Sequence, residues 1–392
     1  MTDRGLNSED KEFSRELRLI LDIIKDNGTQ FQNQELFIDI DWNIFLEFVS
    51  QHRLYPSIYK KFKNEKENKV PSQVLTTLST WYKRNTFQML QLSAEMEQVS
   101  RWLVDAGIDS LFLKGPVLAY DLYGDLSMRT SKDLDILIQM KDLDKVDQIL
   151  LEYGYKRDNY TRTVMNDWKW KNHHIEYVHH EKGISLEIHW RMNPGAGKEA
   201  TFKELWGRKR RSPINHYPVY FLGREDLFIY LVTHGARHGW FRLRWLTDID
   251  QMVKQGLNWN GVSFFFKKYD IKHLGGQALI LTHQLLGANI PDNMKGIINK
   301  KSISLAQKAL LFIDQLENLH NEDLSEGVSK KFSDYLYSLK NFQQKLFYYL
   351  GFVFPVLEDA VLLPLPKKLH FLYFLLRPFL WVWRRAKRYS VS

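Results

Sequence analysis

The chain has no cysteine among its 392 residues, and it is poor in proline (11) and glycine (21). The first absence excludes disulfides, thiolate metal centres and cysteine nucleophiles, and it fits a cytoplasmic protein. Scarcity of Gly and Pro argues against collagen-like, low-complexity and turn-rich all-β chains. The opening stretch, MTDRGLNSEDKEFSRELR, has no apolar segment behind a basic start, so no signal peptide is expected. Acidic residues are missing from residues 364–392, where Lys367, Lys368, Arg377, Arg384, Arg385, Lys387 and Arg388 supply seven of the nine net positive charges. The rest of the chain is therefore near neutral, which gives little support for nucleic acid wrapping around the whole protein.

What is present is a hydrophobic fraction of 44% rich in Phe, Tyr and Trp, enough for a sizeable core and two or three modules. Apolar residues recur at helical spacing over residues 13–26, over 41–63, and from Pro71 to about Gly107. The period then changes. DSLFLKG (109–115) and DLDILIQM (133–140) read as strands, with about two helical turns between them. KDLDKVDQILLEYG reads as a helix, and HHIEYVHHEKGISLEIHW reads as a hairpin turning at Glu181-Lys182-Gly183. The pattern is helical again from residue 223 to about 350. The expected fold is α+β: a helical region (1–106), a small mixed-sheet core (107–192), a second helical region (193–350) and an apolar, basic tail (351–392).

Asp133 and Asp135 share one face of their strand, while Leu134, Ile136 and Ile138 face the other way. Two carboxylates about 4 Å apart repel by roughly 4 kcal/mol at an effective dielectric of about 20, a conflict that a divalent cation removes. Oxygen ligands select a hard ion such as Mg²⁺. On ISLEIHW, Glu187 lies opposite the apolar face with Ser185 and His189, and three acids on two strands can hold two ions for phosphoryl chemistry. The alternative is a pair of solvated acids on an edge strand.

LFLKGPVLAYDLYGDLSMRTSKDLDILI resembles the motif of the nucleotidyltransferase superfamily that includes DNA polymerase β. Together, LKG, RTSKDLDIL, LEIHW and HGARHGWFRLRWLTDID are similar to a bacterial group of uncharacterised nucleotidyltransferases, over roughly residues 36–255. The first part also resembles toxin-type enzymes of abortive-infection systems. The resemblance implies a polymerase β-like core, an NTP substrate and two Mg²⁺ ions, with Mn²⁺ as a substitute. It places Asp133, Asp135 and Glu187 as metal ligands and catalytic residues, with Glu187 completing the site or acting as base. The implied acceptor is a saccharide, peptide, protein or RNA. Many superfamily members carry Gly-Ser at the turn, whereas Lys114-Gly115-Pro116 stands here. Gly115 still permits backbone approach to a phosphate at a helix N-terminus, and Lys114 can replace the hydroxyl with a charge.

Arg129, four residues before Asp133, is read as bracing the carboxylates or meeting a phosphate. Lys132 reads as solvated. Arg237 and His238, with His234, Trp240, Arg242, Arg244 and Asp248, are read either as the nucleotide or acceptor side of a cleft or as a helix junction held by polar contacts, while Leu231, Leu243, Trp245 and Ile249 pack. The spacing of His234 and His238 suits zinc, but the Glu of HExxH is missing. The pairs His173-His174 and His179-His180 are expected to point to opposite faces. NPGAGKEA fails as a phosphate loop because Met192 and Glu199 stand at required positions. DWKWKNHH offers an acceptor-binding loop. Residues 369–388 read either as a peripheral membrane segment or as a docked helix with a solvated basic end. A degenerate nucleotide-binding scaffold, which could also sit at a membrane, is the alternative to an enzyme.

Overall fold

The change of period near residue 107 is where helices give way to a sheet. The computed structural model of the chain describes residues 13–25, 34–64, 69–157, 168–195, 197–319 and 324–389. Residues 1–12, Asp26 and Asp167 lie outside the described residues, as do the side chains of Trp170, Arg385, Lys387 and Arg388. The readings made on the chain's start and on those members of the aromatic-basic stretch and the tail lie outside with them.

Four helices come first: α1 (Arg15–Lys25), α2 (Trp42–Gln51), α3 (Tyr55–Lys63) and α4 (Ser72–Asp105). The span 41–63, expected as one amphipathic stretch, is broken in two. Arg53 takes a positive φ of 55°, and Pro56 sits in the first turn of α3 because it has no N–H with which to continue a preceding helix. Asp41 caps α2 by accepting hydrogen bonds from the amides of Asn43 and Ile44. The 34 residues of α4 run about 50 Å and end before Gly107, whose φ is 69°.

The sheet region contains β1 (Ser110–Phe112), α5 (Pro116–Tyr123), β2 (Asp133–Ile138), α6 (Leu143–Glu152), β3 (Lys156–Arg157), α7 (Trp168–Lys171), β4 (His174–His179), β5 (Ile184–His189), α8 (Phe202–Gly207), β6 (Arg210–Arg211) and β7 (Tyr220–Phe221). The strand order is β3-β4-β5-β2-β1-β7-β6. β1 and β2 are antiparallel, β2 and β5 parallel, and β4 and β5 form the expected hairpin, so the fold is α+β with a mixed seven-stranded sheet. β6 and β7 lie beyond residue 192, with β7 parallel to β1. Strands of two residues carry too little alternation to be read from sequence.

Helices complete the chain: α9 (Arg224–Arg237), α10 (Leu243–Gln255), α11 (Trp259–Lys268), α12 (Lys272–Leu286), α13 (Lys300–Ile313), α14 (Glu326–Leu339), α15 (Phe342–Gly351), α16 (Leu357–Leu362) and α17 (Leu372–Tyr389). One sheet face, with Leu134, Ile136, Ile138, Leu186 and Ile188, packs on α4 and α6. A larger core joins α1–α3 to α9–α13, and from β2 it takes only Leu137. That second face of β2 and β5 is where the acids lie.

The tail helix α17 docks on α16. The Tyr373 hydroxyl donates to the Leu363 carbonyl at 2.7 Å, Arg377 and Arg384 pair with buried Asp359, and Leu380 is buried. Leu375, Phe379, Trp381, Val382 and Trp383 are exposed. Among the described residues, no helix is long and apolar enough to cross a membrane.

Candidate active site

The site starts from β-strand periodicity. Parallel pairing sets Asp135 opposite Glu187 and Leu137 opposite His189. Asp135 is fully buried, whereas Asp133 lies half-buried at the strand's open end. The ligand atoms of Asp135, Glu187 and His189 lie within 4.8 Å of one another. Lys114 Nζ is 2.9 Å from Asp135 Oδ1, and His189 Nε2 lies 3.3 Å from that same oxygen and 3.1 Å from Glu187 Oε2. The two cations relieve the repulsion between the acids, but neither carboxylate oxygen of Asp135 has an aligned hydrogen bond.

The electrostatics are mutual. Burial opposes the charge on Glu187, yet the His189 hydrogen bond and the charges of His189 and Lys114 outweigh it and hold the carboxyl at about 2. Burial likewise opposes charge on His189 and Lys114; the carboxylates beside them, chiefly Asp135, raise both. Around Asp133 the balance is the reverse. Arg53, Lys132 and Arg242 all feel its charge, and among the described residues none of the four is in a close ion pair. Burial and then Arg53 depress Arg242 to about 9, and Arg53 is the main cause of the lowering at Lys132. Arg242 Nε is buried without a hydrogen-bond partner. Three crowded cations beside one acid form a place for a multiply charged anion.

Gly115 has φ 80°, a conformation L side chains rarely adopt, and a Cβ there would fall 3.3 Å from Leu134 Cδ2. It precedes α5, which begins at Pro116 with no side-chain cap, so the helix's first amides are unclaimed by a capping side chain.

The profile of a family described as uncharacterised nucleotidyltransferase matches residues 39–287, well over half of the chain. The chain belongs to this family. Every residue of the acid, histidine and arginine groups above falls inside the matched span, and the tail falls outside it. A solved structure of an antigenic nucleotidyltransferase-like protein from Paracoccidioides brasiliensis is similar over 51% of this chain and 94% of its own, with 15% identity and a TM-score of 0.33. No curated protein matches.

Several residues of this nucleotidyltransferase family member stand elsewhere than its sequence suggested. Arg129 does not brace the paired acids: its Nε reaches both oxygens of Asp248 at 3.1 Å, and the Tyr123 hydroxyl donates to Asp248 at 2.9 Å. Asp248 is thus part of a buried brace and not of a cleft wall. Trp240 is also no wall. It is fully buried against Gly235, where a Cβ would fall 2.3 Å from the indole. Lys114 is engaged by Asp135 and does not stand open to a phosphate. Arg237 and His238 close α9: Arg237 Nη2 is 3.4 Å from His234 Nδ1, and the His238 ring stacks on Trp245. Leu231, Leu243, Trp245 and Ile249 are buried, in keeping with their packing roles.

His173 and His174 do not diverge. His173 precedes β4, so strand alternation does not apply to it, and the two rings approach with nitrogens 3.3 Å apart. With His189 they form a second group of three ligand nitrogens within 4.8 Å. Arg53 is a site residue that the sequence reading missed; His189 was named beside Glu187 without a role, and His173 and His174 only as a diverging pair and within the aromatic-basic stretch. His189 was legible, since it follows Glu187 by two residues on the same strand face.

Proposed function

We propose that the chain is a divalent-cation-dependent nucleotidyltransferase, of the bacterial and polymerase β-like kind, that moves an NMP from an NTP to an acceptor with loss of pyrophosphate. The reading takes residues 107–192 as the catalytic unit, 1–106 and 193–350 as its helical flanks and 351–392 as a tail, in an intracellular protein. The observation that carries it is the Asp135–Glu187–His189 group, in which both Asp135 oxygens lack an aligned hydrogen bond, with Asp133 two residues along the same strand face and within the field of Arg53, Lys132 and Arg242.

The donor set fits a divalent ion held by Asp135 and Glu187, with Asp133 at the rim. An ion that displaced the His189 proton would find a nitrogen donor there, which widens the choice from Mg²⁺ towards Mn²⁺. A bound ion would supply positive charge to the phosphoryl group being transferred. Arg53, Lys132 and Arg242 bind the triphosphate, and Gly115 lets the backbone at α5 approach it. Lys114 stays paired with Asp135. Arg237 faces the acceptor. Calorimetric titration of each NTP, as a non-hydrolysable analogue with Mg²⁺, tests the reading: wild type binds one, and Asp133→Asn/Asp135→Asn, folded, does not. Unchanged binding or transfer in that variant overturns the assignment.

Peripheral membrane contact through residues 369–388 is favoured by one observation, the exposed Phe371, Leu375, Phe379, Trp381 and Trp383 around α17. Co-sedimentation with anionic vesicles, lost on deleting residues 369–392, is the expected result; a pool unchanged by the deletion ends this reading.

A further inference from the structure

A cavity of about 530 Å³ lies beyond Arg237, between the loop after β5, α9, the start of α12, α14 and α15. Its size suits a small molecule or a single chain. Its walls separate two kinds of chemistry. Ile229, Leu274, Leu336, Leu339 and Phe347 make an apolar body. Lys171, Lys198, Lys340 and Arg237 stand around it against one acid, Glu199, which is already claimed by Arg191 at 3.1 Å and by the Asn193 amide at 3.0 Å. Lys198 is exposed, and among the described residues it has no ion-pair partner. Lys340 is half-buried, with its ammonium on the Leu336 carbonyl, and burial lowers its pKa. Arg237 Nη1 is buried with no hydrogen-bond partner, and Arg237 also feels the charges of Glu187 and Asp135, so one side chain joins the cavity to the acids. Lys198, Lys340 and Arg237, with no acid of their own beside these apolar walls, favour a ligand that brings its own negative charge.

We propose that this cavity is the acceptor site, and that the acceptor is an apolar chain ending in a phosphate or carboxylate. α15 presents Leu346, Phe347, Tyr348 and Leu350 at the surface beside it, an apolar approach for such a molecule. The acceptor role rests on the nucleotidyltransferase reading; the binding of the amphiphile does not. In the transfer, an ionised head-group oxygen forms a bond to the α-phosphorus of the NTP. The bond from that phosphorus to the bridging oxygen of the β-phosphate breaks, and pyrophosphate leaves with the electron pair. An already ionised head group has no proton to lose.

The test is calorimetry on the full chain without nucleotide, using dodecyl phosphate, dodecanoate, dodecyl maltoside and inorganic phosphate, all below micelle-forming concentrations. At least one dodecyl anion is expected to bind about tenfold or more tightly than the neutral maltoside, and inorganic phosphate alone to bind far more weakly. The tighter anion names the head group. Lys198→Glu/Lys340→Glu, with unchanged melting, should weaken the anion by about fivefold or more and leave the maltoside unaffected. Leu339→Trp should block both chains while nucleotide binding persists. Equal uptake of neutral and anionic chains, phosphate binding as tightly as dodecyl phosphate, or no amphiphile binding overturns the proposal. A failed nucleotide titration alongside selective amphiphile binding counts against the transferase reading alone.

Discussion

Two buried aspartates, each beside a cation, sit in this molecule in opposite states. Asp248 accepts from Arg129 Nε at both oxygens and from the Tyr123 hydroxyl, with Arg129 Nη2 3.0 Å away as a further ion-pair contact, so each of its oxygens has a partner. Asp135 has Lys114 at 2.9 Å and His189 at 3.3 Å, yet both its oxygens lack an aligned hydrogen bond. A satisfied ion pair fixes a geometry, while an under-satisfied one keeps acceptor capacity for something that arrives later. The first ties the loop before β2 to α10; the second belongs to chemistry.

The sharpest way to break the comparison is to neutralise each acid in turn. Asp135→Asn is expected to lower nucleotidyl transfer per folded molecule by about a thousandfold or more, with a smaller loss of stability than Asp248→Asn because Asp135 makes no aligned hydrogen bond, checked by radiolabel transfer and calorimetry. Asp248→Asn should do the converse. It leaves the Arg129 charge buried and uncompensated, at a cost of about 3–5 kcal/mol in urea unfolding, with transfer per folded molecule retained.

A smaller effect separates the two acids by ligand linkage. Mg²⁺ or Mn²⁺ at a hundred times its dissociation constant should stabilise wild type and the Asp248 variant by about 2.7 kcal/mol, and Asp135→Asn by almost nothing. Equal thermal shifts in all three proteins would show that the ion binds elsewhere. The smallest effect is acid sensitivity in the metal-free protein. The folded pKa of Glu187 is depressed from 4.5 to about 2, so its stabilisation is fully present above 4.5 and is lost as pH falls towards 2. Glu187→Gln should flatten that part of the unfolding curve; an unchanged acid limb would argue against the charge network with His189 and Lys114.

Much of this site is written in short range. The alternation of Asp133, Asp135 and of Glu187, His189 against their apolar neighbours is visible in a few residues, as is the turn at Gly115. Arg129 was misplaced because its partner Asp248 lies 119 residues away, and nothing local distinguishes it from a residue serving Asp133. His173 was misread because the break between α7 and β4, and not the strand period, sets its direction. Arg53 was missed because only the break between α2 and α3, with its positive φ, sends it towards Asp133.

By itself, then, the sequence determined the α+β class, the helix-to-strand switch and which side chains share a strand face, because backbone periodicity alone sets side-chain direction over a few residues. Tertiary structure decided which charges meet. Asp135 finds Glu187 and His189 through strand pairing, Asp248 locks Arg129, and Arg237 comes to stand between the acids and an apolar cavity. These outcomes depend on which elements pack together, and the energy of a buried charge belongs to its whole surroundings and not to its place in the chain.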